Sequence, residues 1–361
     1  MTFVPPVTTG AGLRLHLNEN TGGCSPAVLA AIRDLTREEI ASYPDYGSIT
    51  SACERWFGVP PGWVMLTNGL DEGLILLAQQ AAAVSVAAGD ARLDADGAMP
   101  AALFEALAVE PVFDYYPDCT AAVCGRLVRV PSNAPDFDFP LARVLDSIGP
   151  ATRLILLTDP NNPTGTGIPA AAIDAVVDAA PHALVLVDEA YGDFSGRTCI
   201  GPRLTRSRHL IVGRTFAKAF GLAGLRVGAL VGHPETLAPI RRRQQPYALN
   251  ASAVRALAAA LSDRPYVEKY IAESVRSREL IYAFCQAHDL SYWRSDGNFV
   301  LIRIGEATSS VVRRLAARGV FVRDRSDQAG CAGCIRVGAG LVDHTRVFIA
   351  AMEDVLASSH D

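Results

Sequence analysis

The 361-residue chain lacks several features that would assign its class at once. No basic start followed by an apolar core opens the sequence, so we expect no secretory signal. No run of about 20 strongly hydrophobic residues is present. The longest apolar stretch, residues 73–88, contains Gln79 and Gln80 and is typical of a buried helix rather than a membrane span. Internal repeats and low-complexity linkers are missing too, which excludes a repeat architecture.

An excess of positive charge is also missing, since the formal net charge is −5. A mildly acidic chain has no general attraction to nucleic acid or to anionic membranes, so we expect neither as a partner. A local arginine cluster can still bind small anionic substrates. Half of the residues are hydrophobic and a fifth are charged, the balance of a globular protein with a well-filled core.

The eight cysteines are scattered, and the chain is too large to need disulfides as staples. Free thiols in a reducing cytoplasm are the expected state. Cys331 and Cys334 form a C-x-x-C pair, but no second pair and no histidine pair lies nearby in the sequence. A structural role is therefore favoured over redox or zinc chemistry, and no metal site is predicted.

Short β-branched runs alternate with helical stretches in the centre of the chain, which predicts a mostly parallel sheet with helices on both faces. The predicted strands are residues 153–158, 183–187, 209–212 and 227–231, with a helix over 169–180. The last third predicts a smaller α+β unit: helices over 266–288, 307–318 and from Asp343, and strands at 298–304, 320–323 and 334–337. We expect an N-terminal arm (1–40), a large domain (41–255) and a small domain (256–361), with the boundary within 250–265.

Polar motifs follow three successive predicted strands. The first strand ends in DPNNPTG (159–165), the second in DEAY (188–191), and the third leads into TFAK (215–218) and GLAGLRVG (221–228). Ligands of open α/β sheets lie at the carboxyl ends of the strands, so these loops should converge on one crevice.

The side chains of these loops suit one kind of chemistry. A lysine amine can form an imine with an aldehyde cofactor, and an aspartate facing a pyridine nitrogen keeps that nitrogen protonated. An amide and a phenol can bond the ring oxygen, and an arginine can hold a phosphate. Taken alone, DPNNPTG could be a turn, Asp188 a cap and Lys218 an exposed lysine. Their order after successive strands favours a shared site.

The sequence resembles the fold-type I pyridoxal-phosphate (PLP) aminotransferases, and most closely the histidinol-phosphate aminotransferase group. The matching segments span nearly the whole chain: LNEN (17–20), YPDY (43–46), TNGLDE (67–72), EPVFDYY (110–116), DPNNPTG, DEAY, TFAKAFGLAGLRVG (215–228), GVFVRDR (319–325) and CIRVGAG (334–340). The resemblance implies an α/β large domain whose mostly parallel sheet is flanked by helices, and a smaller α+β C-terminal domain.

The resemblance also implies roles for individual residues around the cofactor ring. Lys218 would hold PLP and move the proton, as the central catalytic residue. Asp188 would pair with the pyridine nitrogen, and Asn162 and Tyr191 would bond the ring oxygen. Phe113 would stack on the ring, although ordinary core packing explains a phenylalanine there equally well.

A second group of residues is implied at the cofactor phosphate. Leu70 and Asp71 would offer backbone N–H groups at a helix N-terminus, a position suited to anions. Thr215 and Arg226 would complete the phosphate site. Tyr43 would reach the phosphate of a neighbouring subunit, so the resemblance implies a homodimer.

Three residues are implied in substrate binding: Arg336 for the carboxylate, Arg323 for a second anionic group, and Asn20. A surface ion pair is an equally good account of Arg323 from sequence alone. The expected reaction converts histidinol phosphate and 2-oxoglutarate into imidazole-acetol phosphate and glutamate, so the expected partners are small molecules. Alternatives are an aminotransferase for aromatic or other amino acids, a threonine-phosphate decarboxylase, and a non-catalytic PLP-binding regulatory module. No G-x-G-x-x-G opens a βαβ unit, which disfavours a dehydrogenase.

Three features depart from the family pattern. Ala217 stands before the lysine where the family usually has serine, which removes a hydroxyl from the phosphate site. Thr21 and Gly22 follow LNEN where the family often has Pro-Tyr with the tyrosine on the substrate phosphate, so substrate choice stays open. Residues 88–101 form a polar insertion of unassigned role.

Overall fold

A computed structural model describes residues 12–89 and 102–357 of the protein. Apart from Ala88 and Gly89, the insertion expected at 88–101 lies outside the described residues. The strands are β1 (Leu13–Arg14), β2 (Val64–Asn68), β3 (Phe104–Glu110), β4 (Gly125–Pro131), β5 (Thr152–Thr158), β6 (Leu184–Asp188), β7 (Leu210–Thr215), β8 (Val227–Gly232), β9 (Tyr292–Trp293), β10 (Phe299–Arg303), β11 (Val320–Phe321), β12 (Arg323–Asp324) and β13 (Cys334–Gly338).

The α-helices alternate with these strands in the large domain and flank them in the small one. They are α1 (Pro26–Arg33), α2 (Arg37–Ala41), α3 (Gly47–Phe57), α4 (Gly69–Ala88), α5 (Tyr115–Ala121), α6 (Leu141–Asp146), α7 (Ala170–Ala179), α8 (Gly192–Ser195), α9 (Pro202–Arg206), α10 (Pro234–Arg241), α11 (Ala251–Ser262), α12 (Arg264–Ala287), α13 (Thr308–Ala317) and α14 (Val342–Ala357).

A seven-stranded sheet in the order β2-β8-β7-β6-β5-β3-β4 forms the centre of the large domain. Strand β8 is antiparallel to both of its neighbours, and the other described neighbours pair in parallel. The predicted mostly parallel sheet is therefore confirmed, and β2, β3 and β4 add to the four predicted strands. Strands β6, β7 and β8 are buried along nearly their whole length, as expected where helices cover both faces of a sheet.

Helix α4 is long and apolar enough, by length and composition, to cross a membrane. Half of its apolar window is buried inside the protein, however. Leu70, Leu74 and Leu77 share a hydrophobic cluster with Ile211 and Leu230 of the central sheet. The packing is that of a core helix, as the two glutamines and the alanine content of this stretch predict.

The small domain contains an antiparallel sheet in the order β12-β13-β10-β9, covered by α12, α13 and α14. The N-terminal arm joins it, because β1 pairs in parallel with β11. Helix α11 packs its buried face into the hydrophobic cluster of the large domain, and α12 begins in that cluster at Val267 and ends in the small-domain cluster at Cys285. The division at residue 255 stays a prediction, and this packing favours a boundary inside α12.

All eight cysteines are free thiols, as predicted. Cys331 and Cys334 are both fully buried, and they occupy a turn in which the Cys334 N–H donates to the Cys331 carbonyl at 2.9 Å. Burial raises the pKa of the Cys331 thiol to about 12. A buried thiol of this kind is unreactive, which agrees with the structural role expected from the sequence.

Candidate active site

The ends of three neighbouring strands meet at one edge of the sheet. Thr158 at the end of β5 lies in register with Asp188 at the end of β6, and Asp188 lies in register with Gly213 of β7. Thr215 ends β7, and Lys218 follows three residues later. The predicted convergence of the three loops is therefore confirmed.

These strand ends and the start of α4 surround an open cavity. Nine of the predicted site residues line it: Leu70, Asp71, Phe113, Asn162, Asp188, Tyr191, Thr215, Lys218 and Arg226. Residues from five separate motifs are thus brought together in one place. Among the described residues, no group of three or more His, Cys, Asp or Glu side chains could hold a metal ion.

The amine of Lys218 lies at the boundary between the cavity and the N-terminal arm. Its Nζ donates to the Leu17 carbonyl at 3.2 Å and lies 5.8 Å from the centre of the Tyr191 ring. The carbonyl belongs to the LNEN segment, so the arm positions the lysine. A primary amine placed in this way can act as a nucleophile or carry a proton.

Asp188 is a buried carboxylate with only 3% of its surface exposed. Burial raises its pKa to about 6, although the hydroxyl of Tyr116, which donates to Oδ2 at 2.8 Å, opposes this rise. The Ala190 N–H donates to Oδ1 at 3.0 Å. A cation bound next to this carboxylate in the cavity would stabilise it, because a nearby positive charge favours the ionised form of a buried carboxyl group. Sequence reasoning missed Tyr116, the last residue of EPVFDYY.

The Tyr191 phenol is held by two amides. Asn18 and Asn162 each donate through Nδ2 to the phenolic oxygen, at 3.0 and 3.3 Å. Since this oxygen accepts both bonds, its own proton remains available to a group in the cavity. Asn18 has a φ of +54°, in the left-handed region that asparagine tolerates better than most residues. Its role was not predicted, although it belongs to LNEN.

The N-terminus of α4 forms a cradle for an anion. The chain turns into the helix at Gly69, where φ is +71° and an added Cβ would lie 2.5 Å from Nη2 of Arg226. A Cβ at Gly228 would lie 2.5 Å from the Leu70 backbone nitrogen. Only glycine therefore allows the guanidinium and the helix N–H groups to approach so closely. Arg226 donates to Asp71 at 2.8 Å, and the combination suits a phosphate group.

Two arginines lie on adjacent small-domain strands, with Arg323 opposite Arg336 in the register. Arg336 is buried, and its guanidinium donates to the Asn162 side chain and, at 2.7 Å, to the His16 carbonyl. Burial lowers its pKa to about 10, so it stays charged at neutral pH. Arg323 lies 3.9 Å from the Asp114 carboxylate. The pair presents positive charge that suits an anionic substrate.

A buried ion pair joins the two domains beside these arginines. Arg325, only 2% exposed, donates twice to the carboxylate of Asp114, both times at 2.9 Å. Burial alone would raise the pKa of Asp114, but the hydrogen bonds and charge of Arg325 outweigh burial and hold it below the ordinary value. Asp114 follows Phe113, so this pair fixes the segment that carries the predicted stacking ring. Sequence reasoning missed both partners.

Replacing Asp114 with asparagine should therefore destabilise the protein by about 3 kcal/mol, because the buried Arg325 would lose its counter-charge. Urea unfolding followed by circular dichroism measures this change. Asp343→Asn is the matched control, since Asp343 pairs with Arg346 at 3.0 Å on an exposed surface and should cost less than about 1 kcal/mol. Equal losses in both variants would contradict the importance of the inter-domain pair.

Four predicted residues do not line the cavity of their own chain: Arg323 and Arg336, described above, and Tyr43 and Asn20. Tyr43 is 77% exposed and stacks on Tyr247, with ring centres 4.0 Å apart. The Asn20 amide donates to the Ala219 carbonyl at 3.0 Å and accepts from the Gly22 N–H at 2.8 Å. The side chain of Asn20 thus fixes the N-terminal arm next to the loop that carries Lys218 and Ala219.

The comparisons with known proteins agree with this geometry. The profile of the family "aminotransferase class I and II" matches residues 11–350. Histidinol-phosphate aminotransferase 1 of Thiobacillus denitrificans is 32% identical, over 96% of this chain and 86% of its own. Histidinol-phosphate aminotransferase 2 of Ralstonia nicotianae is 34% identical, over 96% and 89%.

A solved structure shows the same likeness in three dimensions. The histidinol-phosphate aminotransferase from Sinorhizobium meliloti, in complex with pyridoxal-5'-phosphate, superposes with a TM-score of 0.83. It shares 26% identity and covers 96% of this chain and 91% of its own. With a family match over nearly the full length and two curated relatives above 30% identity, this chain belongs to the class I and II aminotransferases.

Proposed function

We propose that the protein is the aminotransferase that acts on histidinol phosphate, with 2-oxoglutarate as the acceptor and PLP as the cofactor. The observation that carries the chemistry is the presence of Lys218 and Asp188 in one cavity, with an anion cradle at its end. The substrate assignment is supported by the names of the relatives and by the two arginines next to the cavity.

The residues of the cavity fit PLP. When bound, PLP supplies an aldehyde that links to an amine and a ring that withdraws electrons from the substrate carbon. Lys218 would hold the cofactor and would then carry a proton to and from the substrate carbon. Asp188 would keep the ring nitrogen protonated. The Tyr191 hydroxyl, whose hydrogen is not used by either amide, and the Asn162 amide would stabilise the ring oxygen, and Phe113 would pack against the ring.

The cofactor phosphate is assigned to the cradle. The backbone N–H groups of Leu70 and Asp71 point out of the α4 N-terminus, where the helix dipole favours negative charge. Arg226 and Thr215 supply the remaining donors. Arg226 also pairs with the Asp71 carboxylate. Its guanidinium would therefore bind the phosphate and the carboxylate at the same time, with the two negative groups close together.

Arg336 and Arg323 bind the anionic groups of the substrates. Asn20 was expected to take part, but its amide is bonded to Ala219 and Gly22, and Asn18 is the better-placed amide because it reaches the Tyr191 hydroxyl. We also assign Tyr43 to a homodimer interface. A stacked, exposed tyrosine pair on a soluble enzyme supports a binding surface of this kind.

L-glutamate alone should convert the bound cofactor from its aldehyde to its amine form, with one equivalent of 2-oxoglutarate released. Absorbance spectroscopy follows the first change and an enzymatic assay the second, with D-glutamate as the control. L-histidinol phosphate should also convert the cofactor to its amine form, with imidazole-acetol phosphate as the product. L-histidinol should need a concentration at least about tenfold higher, since it lacks the phosphate that the arginines bind.

Three outcomes would contradict these proposals in different ways. A cofactor spectrum unaffected by every amino donor would exclude transamination. Conversion by glutamate and an aromatic amino acid, but not by histidinol phosphate, would keep the aminotransferase and reject the substrate. Release of carbon dioxide from threonine phosphate without the amine form would identify a decarboxylase.

A further inference from the structure

His16 is a buried histidine whose ring forms no hydrogen bond to any described residue. The residue is only 3% exposed, and neither ring nitrogen has a partner among the described residues. Its ring lies against Phe321, with centres 6.0 Å apart. Burying two nitrogens without hydrogen-bond partners costs free energy. An apolar side chain would pack against Phe321 without this cost, so packing alone does not explain a histidine at this position.

The surroundings of the imidazole are strongly cationic. Arg14, Arg323 and Arg336 all act on its charge, and the carboxylate of Glu19 alone opposes them. Glu19 is already paired with Arg14 at 2.8 Å. Arg323 and Arg336 are therefore the cations next to His16 that lack a full counter-charge, since Arg325 holds the Asp114 carboxylate in two hydrogen bonds.

The backbone of His16 already contacts the proposed substrate site. Its carbonyl accepts from Nη2 of Arg336, and the same guanidinium donates to Asn162, which lines the cavity. Leu15, the preceding residue, packs into the small-domain core, whereas the His16 ring lies against Phe321 of β11.

We propose that His16 is a substrate-specificity residue: its imidazole donates a hydrogen bond to the anionic end of the substrate side chain, a phosphate or a carboxylate, bound between Arg323 and Arg336. This inference rests on the proposed aminotransferase function. The ligand class follows from the site, because two arginines at opposed positions of neighbouring strands and an unpaired imidazole together match a doubly charged oxyanion.

The binding of such an anion should depend on pH. Burial and the neighbouring arginines lower the pKa of His16, so the ring is neutral in the free protein at pH 7. A bound dianion stabilises the protonated ring, which raises its pKa. Anion binding therefore takes up a proton, and affinity increases as the pH falls.

The test uses the PLP-loaded enzyme with sulfate as the probe, because sulfate keeps its charge between pH 5.5 and 8 and the cofactor occupies the cradle. The measurement is the competitive inhibition constant of sulfate against L-glutamate in the half-reaction. Sulfate should bind wild-type enzyme roughly tenfold more tightly at pH 5.5 than at pH 8, the effect of one unit of pKa shift. His16→Ala should weaken binding about tenfold or more at pH 5.5.

His16→Gln should keep much of the affinity at pH 8 and lose the pH dependence, since its amide donates a hydrogen bond but does not titrate. His182→Gln, on an exposed histidine, is the matched control and should behave as wild type. With histidinol phosphate, His16→Ala should raise KM about tenfold and change kcat by less than about twofold. Unchanged sulfate inhibition and pH dependence in the His16 variants would overturn this role, whereas failure of the wild-type half-reaction would reject the proposed function instead.

Discussion

Lys218→Ala should lower kcat by about 10⁴-fold or more, because the variant loses both the covalent attachment and the proton carrier. The amine is held at the cavity edge by the Leu17 carbonyl, next to Tyr191. Transamination assays measure the loss. Borohydride reduction of the wild-type enzyme with PLP, followed by peptide mass spectrometry, should place the cofactor mass on Lys218, and Lys218→Ala should bind PLP only noncovalently.

The sequence offers a clean control for this experiment, since it contains two lysines, Lys218 and Lys269. Lys269 is exposed on α12. Lys269→Ala should retain wild-type turnover and the label. Normal activity in Lys218→Ala, or a label found on Lys269, would refute the assignment of the central residue.

Much of the site could be predicted because it follows from the strands. A hydrophobic run predicts a buried strand, and the polar residue that ends a parallel strand must lie at the carboxyl edge of the sheet. Thr158, Asp188 and Gly213 occupy neighbouring positions there because the register of parallel strands places them so. The motifs DPNNPTG, DEAY and TFAK therefore converge in the fold as their order in the sequence implied.

The residues that support the site could not be predicted in this way. Arg325 and Asp114 are 211 positions apart, and Asn18 and Tyr191 are 173 apart. Such pairs form only when two domains pack together, and no local period or spacing encodes them. Tyr116 is similar: its hydroxyl reaches Asp188 only because α5 lies under the sheet edge.

The direction of an individual strand could not be predicted from the sequence either. Strand β8 reads as a buried hydrophobic run like β6 and β7, yet it runs antiparallel to its neighbours. A strand covered on both faces shows no alternation from which direction could be inferred. The direction of β8 is set by the short connection from β7, residues 216–226, which carries Lys218. A parallel strand would need a crossover of a dozen residues or more.

Asp188→Asn should lower kcat by about 10³-fold, because the amide keeps the shape of the carboxylate and removes its charge from the ring nitrogen. The absorption maximum of bound PLP should shift as well, which separates an electronic effect from misfolding. Asp178→Asn, an exposed residue of α7, is the control. Turnover within about tenfold of wild type would show that the carboxylate does not hold the ring cationic.

The same substitution should have the opposite effect on the stability of the cofactor-free protein. The pKa of Asp188 rises from 3.8 to about 6 on folding, so between these values the folded state binds more protons than the unfolded state. The free energy of unfolding must then fall as the pH rises from 3.8 to about 6, and ionised Asp188 costs about 3 kcal/mol at pH 8. Asp188→Asn removes this cost, so urea unfolding without PLP should show the variant more stable at pH 8 and little changed at pH 4. A variant less stable at pH 8 would mean that the bonds from Tyr116 and Ala190 outweigh burial of the charge. The opposite signs follow from one cause, since the carboxylate is buried in order to meet a cation that only the cofactor supplies.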